Sequence, residues 1–312
     1  MIYDVIIIGG GPAAYTAGIY SVRAGLTTLI LEGKDYGGQL MTTTEVENYP
    51  GFANGILGPD LMFHMRQQCD NLGCILKDEL VKSVILSRTG LVHKVITEYI
   101  GYISKCVIIA TGATAKRLNL PQEVIFWNHG ISACAVCDGA LPMFRNKPLA
   151  VIGGGDSACE EAMFLSRFGS TVYMFVRGDK MRASHNMKTK VQNNNKIQII
   201  YNTVVTDAFG QNNDKVILEG IKTFNQKQNQ VLEYKVSGLF YGIGHSPNTE
   251  FLNGILPVDE AGYIITENTK TSIPGVFACG DVQDKIYKQA ITAAASGCMA
   301  ALEAERYLTK EH

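Results

Sequence analysis

Two cysteines three positions apart, in Cys134-Ala135-Val136-Cys137-Asp138-Gly139, have the spacing of a redox-active dithiol. Such a pair closes and opens a small disulfide ring at little backbone cost, and one of its thiols has a lowered pKa when it lies near a helix start. Exchange with a second disulfide runs by thiolate attack and a mixed disulfide, so it needs one reachable cysteine and one resolving cysteine. Asp138, directly after Cys137, stands where a general acid and then base is needed for the proton that disulfide cleavage consumes. A structural disulfide and two unreactive core thiols are the plainer readings, but the flanking glycine and aspartate favour a turn beside a cavity.

A dithiol needs a source of electrons, and two glycine-rich loops point to one. The first, Gly9-Gly10-Gly11-Pro12-Ala13-Ala14, follows the apolar run Tyr3 to Ile8 and opens a helix whose N-terminal amides suit a pyrophosphate. The next strand, Thr27 to Leu31, delivers Glu32 twenty-one residues after Gly11, where a carboxylate accepts hydrogen bonds from a ribose hydroxyl and repels a 2′-phosphate. This site is expected to hold FAD or unphosphorylated NAD.

The second loop, Gly153-Gly154-Gly155-Asp156-Ser157-Ala158, lies 144 residues after the first and follows the strand Pro148 to Ile152, so two related nucleotide modules are expected. Its following strand, Thr171 to Val176, ends in Arg177 in place of an acid. With Lys180 and Arg182 nearby, the edge is positive and suits a 2′-phosphate, so NADPH is expected over NADH. Nicotinamide delivers a hydride, whereas a disulfide accepts electrons from thiols or a flavin, so a flavin between them converts one form into the other.

The remaining elements must hold these three groups in order. Residues 57–73 read as an amphipathic helix, and residues 75–110 as short strands of a small antiparallel layer that ends in the buried strand Cys106 to Ala110 and the turn Thr111-Gly112-Ala113-Thr114. Gly37-Gly38-Gln39-Leu40 and Asn48-Tyr49-Pro50-Gly51 are turns that either only reverse the chain or lie along a ligand. Residues 191–236 alternate strands with polar tips at Asn193 to Asn195, Gln211 to Asp214 and Asn225 to Gln230. Gly238 to Gly244 reads as a return strand. Gly275 to Val282 is a strand ending in Gly280-Asp281, where Asp281 either accepts a ribityl hydroxyl or caps the helix that follows, read over Gln289 to Leu302.

Composition excludes several classes. A 312-residue chain with 46% hydrophobic and 18% charged residues and a net charge of -1 is globular and offers no electrostatic case for nucleic acid or an acidic membrane surface. No run is long and apolar enough for a transmembrane helix, and the first residues enter a strand with no basic leader, which favours the cytoplasm. Eight cysteines are too few for a disulfide scaffold, and those outside the dithiol read as small buried hydrophobes. Zinc is not expected, because no second cysteine or histidine pair has ligand spacing.

Together these motifs closely resemble the low-molecular-weight thioredoxin reductases, from residue 3 to about residue 308. The resemblance rests on both glycine loops and the dithiol, on Gly38-Gln39-Leu40 and Thr43-Thr44-Glu45-Val46-Glu47-Asn48, and on Gly280-Asp281-Val282 with Lys288-Gln289-Ala290. It implies an α/β fold of two Rossmann-like three-layer domains. One, residues 1–116 and 246–312, would bind FAD, and the other, 117–245, would be inserted into it, bind NADPH and carry the dithiol. FAD would contact Gly9, Gly11, Pro12, Ala13, Glu32, Gly38, Gln39, Leu40, Asn48, Val81, Thr111, Gly112, Gly280, Asp281, Lys288, Gln289 and Ala290. NADPH would contact Gly153, Gly154, Gly155, Asp156, Ser157, Glu160, Arg177, Arg182, Ile243 and Gly244.

The same resemblance has Cys137 facing the flavin, Cys134 attacking thioredoxin and Asp138 donating the proton. It also implies a homodimer, and a rotation of the domains about crossings near 114–120 and 241–247. Two departures stand out: Arg177 is followed by Gly178 where the family often has a second basic residue, and Lys288 stands where arginine is usual. The expected activity is NADPH-dependent reduction of thioredoxin. Rival readings are a related flavoenzyme acting on a peroxiredoxin-like protein or a small-molecule dithiol, and a redox sensor without turnover.

Overall fold

The strand Ile2–Ile8 is apolar but for Tyr3 and Asp4, and from Val5 onward it is covered on both sides. Val5 and Ile7 enter one core while Ile6 and Ile8 enter another. In the computed structural model, which describes residues 1–34, 36–43, 45–89, 91–213 and 215–310, this strand is central to a seven-stranded sheet. Thr44 and Asp214, which belong to two of the stretches singled out above, lie outside the described residues. Strands Thr28–Leu31 and Gly101–Ile109 flank Ile2–Ile8 in parallel, Ile75–Lys77 adds to the first of them, and Val276–Ala278 pairs with the second.

His93–Thr97 and Val81–Ile85 continue the sheet antiparallel. The small antiparallel layer expected for residues 75–110 is therefore part of the main sheet. Gly101–Ile109 is alternately exposed at its start and wholly buried at its end, so one strand serves the meander on one side and the parallel centre on the other.

The chain divides into two compact units, Met1–Thr114 with Ser246–His312, and Ala115–His245. The division between units falls at Thr114 and Ala115, inside the short strand Ala113–Ala115. In the first unit Asn248 fastens that passage: its Nδ2 donates to the Thr111 carbonyl at 2.8 Å and its Oδ1 accepts from Thr114 Oγ1 at 2.9 Å.

The second unit repeats the plan. Five parallel strands, in the order Ile131–Ser132, Gly238–Tyr241, Pro148–Ile152, Thr171–Phe175 and Ile197–Ile200, form its sheet. Helices Asp156–Leu165 and His185–Gln192 cover one face through Ala158, Ala162, Leu165 and Val191. A three-stranded antiparallel sheet, Thr203–Asn212, Val216–Asn225 and Gln230–Tyr234, covers the other through Val205, Ala208, Leu218 and Ile221.

One expected hairpin tip is not one. Asn193 to Asn195 joins helix His185–Gln192 to the parallel strand Ile197–Ile200, because Ser184 caps that helix by accepting from the Met187 amide and starts it before the polar stretch is reached. The closing helix, Ala290–Lys310, runs beyond its expected end at Leu302, since Ala304 and Leu308 remain buried. Among the described residues no helix is long and apolar enough to cross a membrane.

Candidate functional site

Each glycine loop ends a parallel strand and starts a helix, Pro12–Arg23 in the first unit and Asp156–Leu165 in the second. Both helices have a glycine at the N-cap, Gly11 and Gly155, with no side chain satisfying the first amides and no protein atom near where a Cβ would stand. Uncapped amides beside open space form a cradle for a phosphate-bearing ligand, and a dinucleotide fits it at both sites. The glycine that begins each loop is required by its backbone. Gly9 has φ 129° and Gly153 φ 138°, and a Cβ on either would overlap a neighbouring carbonyl oxygen, that of Ala110 or of Gly242.

Glu32 is where the first loop needs an acid, but it is not an open acceptor. Its side chain has no exposed surface. Arg66 grips it with two bonds of 2.8 Å, and Tyr15 donates to Oε1 at 2.6 Å. Burial, with the Glu32 hydrogen bond adding to it, drives the Tyr15 phenol well above its usual range, so Tyr15 stays a donor. Arg66 also lies over the Tyr36 ring. A ligand hydroxyl at Glu32 would have to compete with Arg66 and Tyr15 for its oxygens.

Removing Arg66 leaves a buried carboxylate without its counter-charge, a change that costs roughly 3 kcal/mol for a partner that is itself a third exposed. Arg66→Ala is expected to lower the denaturant midpoint of the protein and weaken its hold on a flavin, while Arg66→Lys restores the charge without the two-pronged grip and recovers part. Equal midpoints and equal flavin content for wild type and Arg66→Ala would show that the pair does nothing for the site.

The other expected FAD contacts lie in the same unit. Gln39, on the one-turn helix Gly38–Thr42 with Leu40, donates its amide to the Ala113 carbonyl at 2.7 Å and so ties that turn to the Thr111-Gly112 segment. Asn48 meets Gln289 across 241 residues of chain at 3.3 Å. Gln289 also donates to the carbonyls of Tyr287 and Lys288, and Lys288 takes up a left-handed φ of 48° just before Ala290 starts the closing helix. Val81 begins its strand and is buried.

Asp281 does not cap that helix, which begins nine residues later; it sits in the turn Gly280–Val282. Burial pushes its carboxyl up to about 6, with the charge of Asp284 adding and Lys288 opposing.

In the second unit, the basic loop is latched to the glycine loop. The Arg182 and Ala183 amides donate to the Gly154 carbonyl at 2.6 and 3.0 Å, and Ser184 donates through both its amide and hydroxyl to Asp156 at 2.8 Å. Those two bonds hold the Asp156 carboxyl below its ordinary range. Arg177, Gly178, Lys180, Arg182, Ser157 and Glu160 are all exposed around it. Gly244 has a left-handed φ of 88° and its carbonyl accepts from the Lys116 amide; Ile243 and Gly244 lie in the turn just past strand Gly238–Tyr241, which pairs with the loop's own strand.

Cys134 and Cys137 are joined as a disulfide at the one-turn helix Ala135–Asp138. Cys137 is exposed and Cys134 half-buried. The Cys137 amide donates to Cys134 Sγ at 3.2 Å, a bond that favours negative charge on that sulfur once the disulfide is opened. Asp138 is half-buried, and burial lifts its carboxyl above the usual range while the hydroxyl of Ser132 opposes the shift. Five other cysteines are buried, with burial driving Cys159 up to about 11 and Cys279 to about 12, outside the range of useful thiolates. No group of three or more metal-ligating side chains occurs among the described residues.

Four residues of these sites escaped the sequence: Arg66, Tyr15, Ser132 and Ser184. Tyr15 directly follows the first glycine loop, Ser132 stands two positions before the dithiol and Ser184 two after Arg182, but none of the four belongs to a pattern that spacing alone makes visible.

Comparison with known proteins agrees with this geometry. Residues 3–297 match the pyridine nucleotide-disulphide oxidoreductase family. The chain is 52% identical to thioredoxin reductase 1 of Saccharomyces cerevisiae, over 98% of each chain. It is also 52% identical to thioredoxin reductase 2 of Arabidopsis thaliana, covering 97% of this chain and 82% of that one. Among solved structures, thioredoxin reductase from Giardia duodenalis superposes with a TM-score of 0.91 at 42% identity, covering 98% of this chain and 99% of that one. The enzyme from Streptococcus pyogenes gives 0.90 at 37% identity over 99% of each chain. With two glycine-loop units, a disulfide of redox spacing in the second, and a family match over nearly its whole length, this chain belongs to the pyridine nucleotide-disulphide oxidoreductase family.

Proposed function

We propose that this protein is an NADPH-dependent thioredoxin-disulfide reductase that binds FAD in the first unit and NADPH in the second. The observation that carries the reading is the Cys134–Cys137 disulfide, which lies in the same unit as the second glycine loop, beside a carboxyl held above its usual range. FAD would be held by the Gly9 to Ala13 loop, Gln39, Asn48, Asp281 and the Lys288 to Ala290 segment, and NADPH by the Gly153 to Ser157 loop with Arg177 and Arg182. When bound, the nicotinamide and the flavin together supply the two electrons that open the disulfide.

The chain's own groups then carry the exchange. Cys134, stabilised as thiolate by the Cys137 amide, attacks a sulfur of the thioredoxin disulfide; a mixed disulfide forms, and the released thiolate takes the Asp138 proton. Cys137 then attacks Cys134 Sγ. Asp138, now a carboxylate, takes the Cys137 proton and passes it to the second leaving sulfur, so two thioredoxin thiols leave and the Cys134–Cys137 bond is restored. A carboxyl with a raised pKa suits both halves, because it still carries its proton closer to neutral pH than an ordinary aspartate does.

A homodimer in the cytoplasm fits this reading. Exposed Tyr20, Phe63 and Met299 on the first unit's helices support association, and six cysteines without a disulfide suit a reducing compartment. Sedimentation of the purified holoprotein tests the first point.

Anaerobic titration of the yellow protein with NADPH, followed by oxidised thioredoxin, tests the reading as a whole. Flavin bleaching by NADPH and stoichiometric appearance of thioredoxin thiols are expected; bleaching without thiols would remove thioredoxin as substrate. The same assay checks the nucleotide. Removing one charge-assisted phosphate contact with Arg182→Ala is expected to raise KM for NADPH about tenfold or more and leave KM for NADH little changed. An equal effect on both nucleotides would take Arg182 away from the 2′-phosphate.

A further inference from the structure

Beside the dithiol stands a residue that the exchange steps above do not use. Ser132 is the last residue of the edge strand Ile131–Ser132, fixed in register against Phe240, and it is buried. Its hydroxyl accepts from the Cys134 amide at 3.0 Å and lies 2.5 Å from Asp138 Oδ2 and 3.4 Å from the Cys134 carbonyl. A serine has one proton to give, and the shorter contact takes it. The Cys134 carbonyl has its own donor in the Asp138 amide at 3.1 Å. Among the described residues no protein group donates to the other carboxyl oxygen, Oδ1.

We propose that Ser132 is a positioning residue for the dithiol: it pins Oδ2 of Asp138 to the same strand end that holds the Cys134 backbone, leaving Oδ1 to carry the exchanging proton. The proposal rests on the reading of Asp138 as proton donor. Its physical content is a balance of two influences. Helix Asp156–Leu165 backs the turn, with Phe164 and Leu165 closing on Gly139, and burial costs the adjoining Asp138 carboxyl its water. The hydroxyl returns part of that loss, but only to the ionised form.

Among the described residues, burial and the Ser132 hydroxyl are the two influences on the Asp138 carboxyl. The guanidinium of Arg145, the nearest along the chain, is turned to the Ala140 carbonyl and the Phe168 ring. The two cysteines titrate beside it once they are reduced, and helix Asp156–Leu165, packed against the turn, carries Glu160 and Glu161.

Ser132→Ala removes the support of the carboxylate and leaves burial unopposed, so the Asp138 pKa rises. In a pH profile of thioredoxin turnover, the limb that disappears in Asp138→Asn is expected to move about one pH unit upward in Ser132→Ala. Titration of the Asp138 carboxyl ¹³C resonance in the oxidised protein should move by the same amount, with no dependence on turnover. Ser132→Thr, which keeps the hydroxyl, should return both readouts toward wild type, and NADPH bleaching of the flavin checks that each variant is folded.

Three outcomes overturn the proposal: an unmoved limb and resonance in Ser132→Ala, a rate reduced equally at every pH, or a threonine variant no better than alanine. If Asp138→Asn itself leaves turnover and its pH profile intact, the reading of Asp138 falls. Loss of the limb in Asp138→Asn with no movement in Ser132→Ala removes Ser132 alone.

Discussion

Cys137→Ser is expected to abolish thioredoxin turnover, by roughly a thousandfold or more, while NADPH still bleaches the bound flavin. The two cysteines are expected to fail differently. With Cys137 replaced, Cys134 still attacks the partner disulfide, but nothing resolves the product, so a covalent one-to-one complex with thioredoxin should accumulate and vanish on adding a thiol. With Cys134 replaced, no such complex should form. The distinction follows from the hydrogen bond that the Cys137 amide makes to Cys134 Sγ, which favours Cys134 as the thiolate although Cys137 is the more exposed residue. A trapped complex in Cys134→Ser and none in Cys137→Ser would reverse the assignment; residual turnover in either variant near the wild-type rate would end it.

The twin glycines provide the second large effect, and it should be separable by site. Gly9 and Gly153 each combine a φ that side chains rarely adopt with a neighbouring carbonyl that leaves no room for a Cβ. Backbone strain of about 1–3 kcal/mol and overpacking of similar size add to roughly 2–6 kcal/mol, a large share of what a domain has to lose. Gly9→Ala is expected to yield colourless protein that has lost its flavin. Gly153→Ala should stay yellow, since the first unit is untouched, yet fail to bleach with NADPH. Absorbance of the purified variants, before and after NADPH, reads both; a yellow Gly9→Ala protein or a normally bleaching Gly153→Ala protein would show that the loops tolerate a methyl group and do not approach their strands as closely as described.

Local chemistry made much of this molecule legible before its structure was considered. Both strand–glycine–helix units, the dithiol between them and the basic end of strand Thr171–Phe175 were visible, because each motif is contiguous and its spacing is imposed by the geometry it must adopt. What stayed hidden depends on distant partners. Glu32 was placed at the right strand end, but the arginine that covers it comes from another helix thirty-four residues on, with no pattern linking the two. Asn48 meets Gln289 from the far end of the chain. The Asn193 to Asn195 stretch failed for a different reason: a polar asparagine run looks the same leaving a helix as between two strands, and the cap at Ser184 decides which it is.

The closing helix bears directly on the first glycine loop: at Gly297 a Cβ would run into the Ala13 backbone, and Gly280 packs its Cα side against the Ala13 methyl. That contact has a temporal side. A growing chain that has reached residue 250 already contains every strand of the second sheet, yet it lacks the strand Val276–Ala278 and the helix that complete the first. The unit begun first at the ribosome is therefore finished last, and for that interval its N-terminal part stays unclosed while every residue of the second unit is already present.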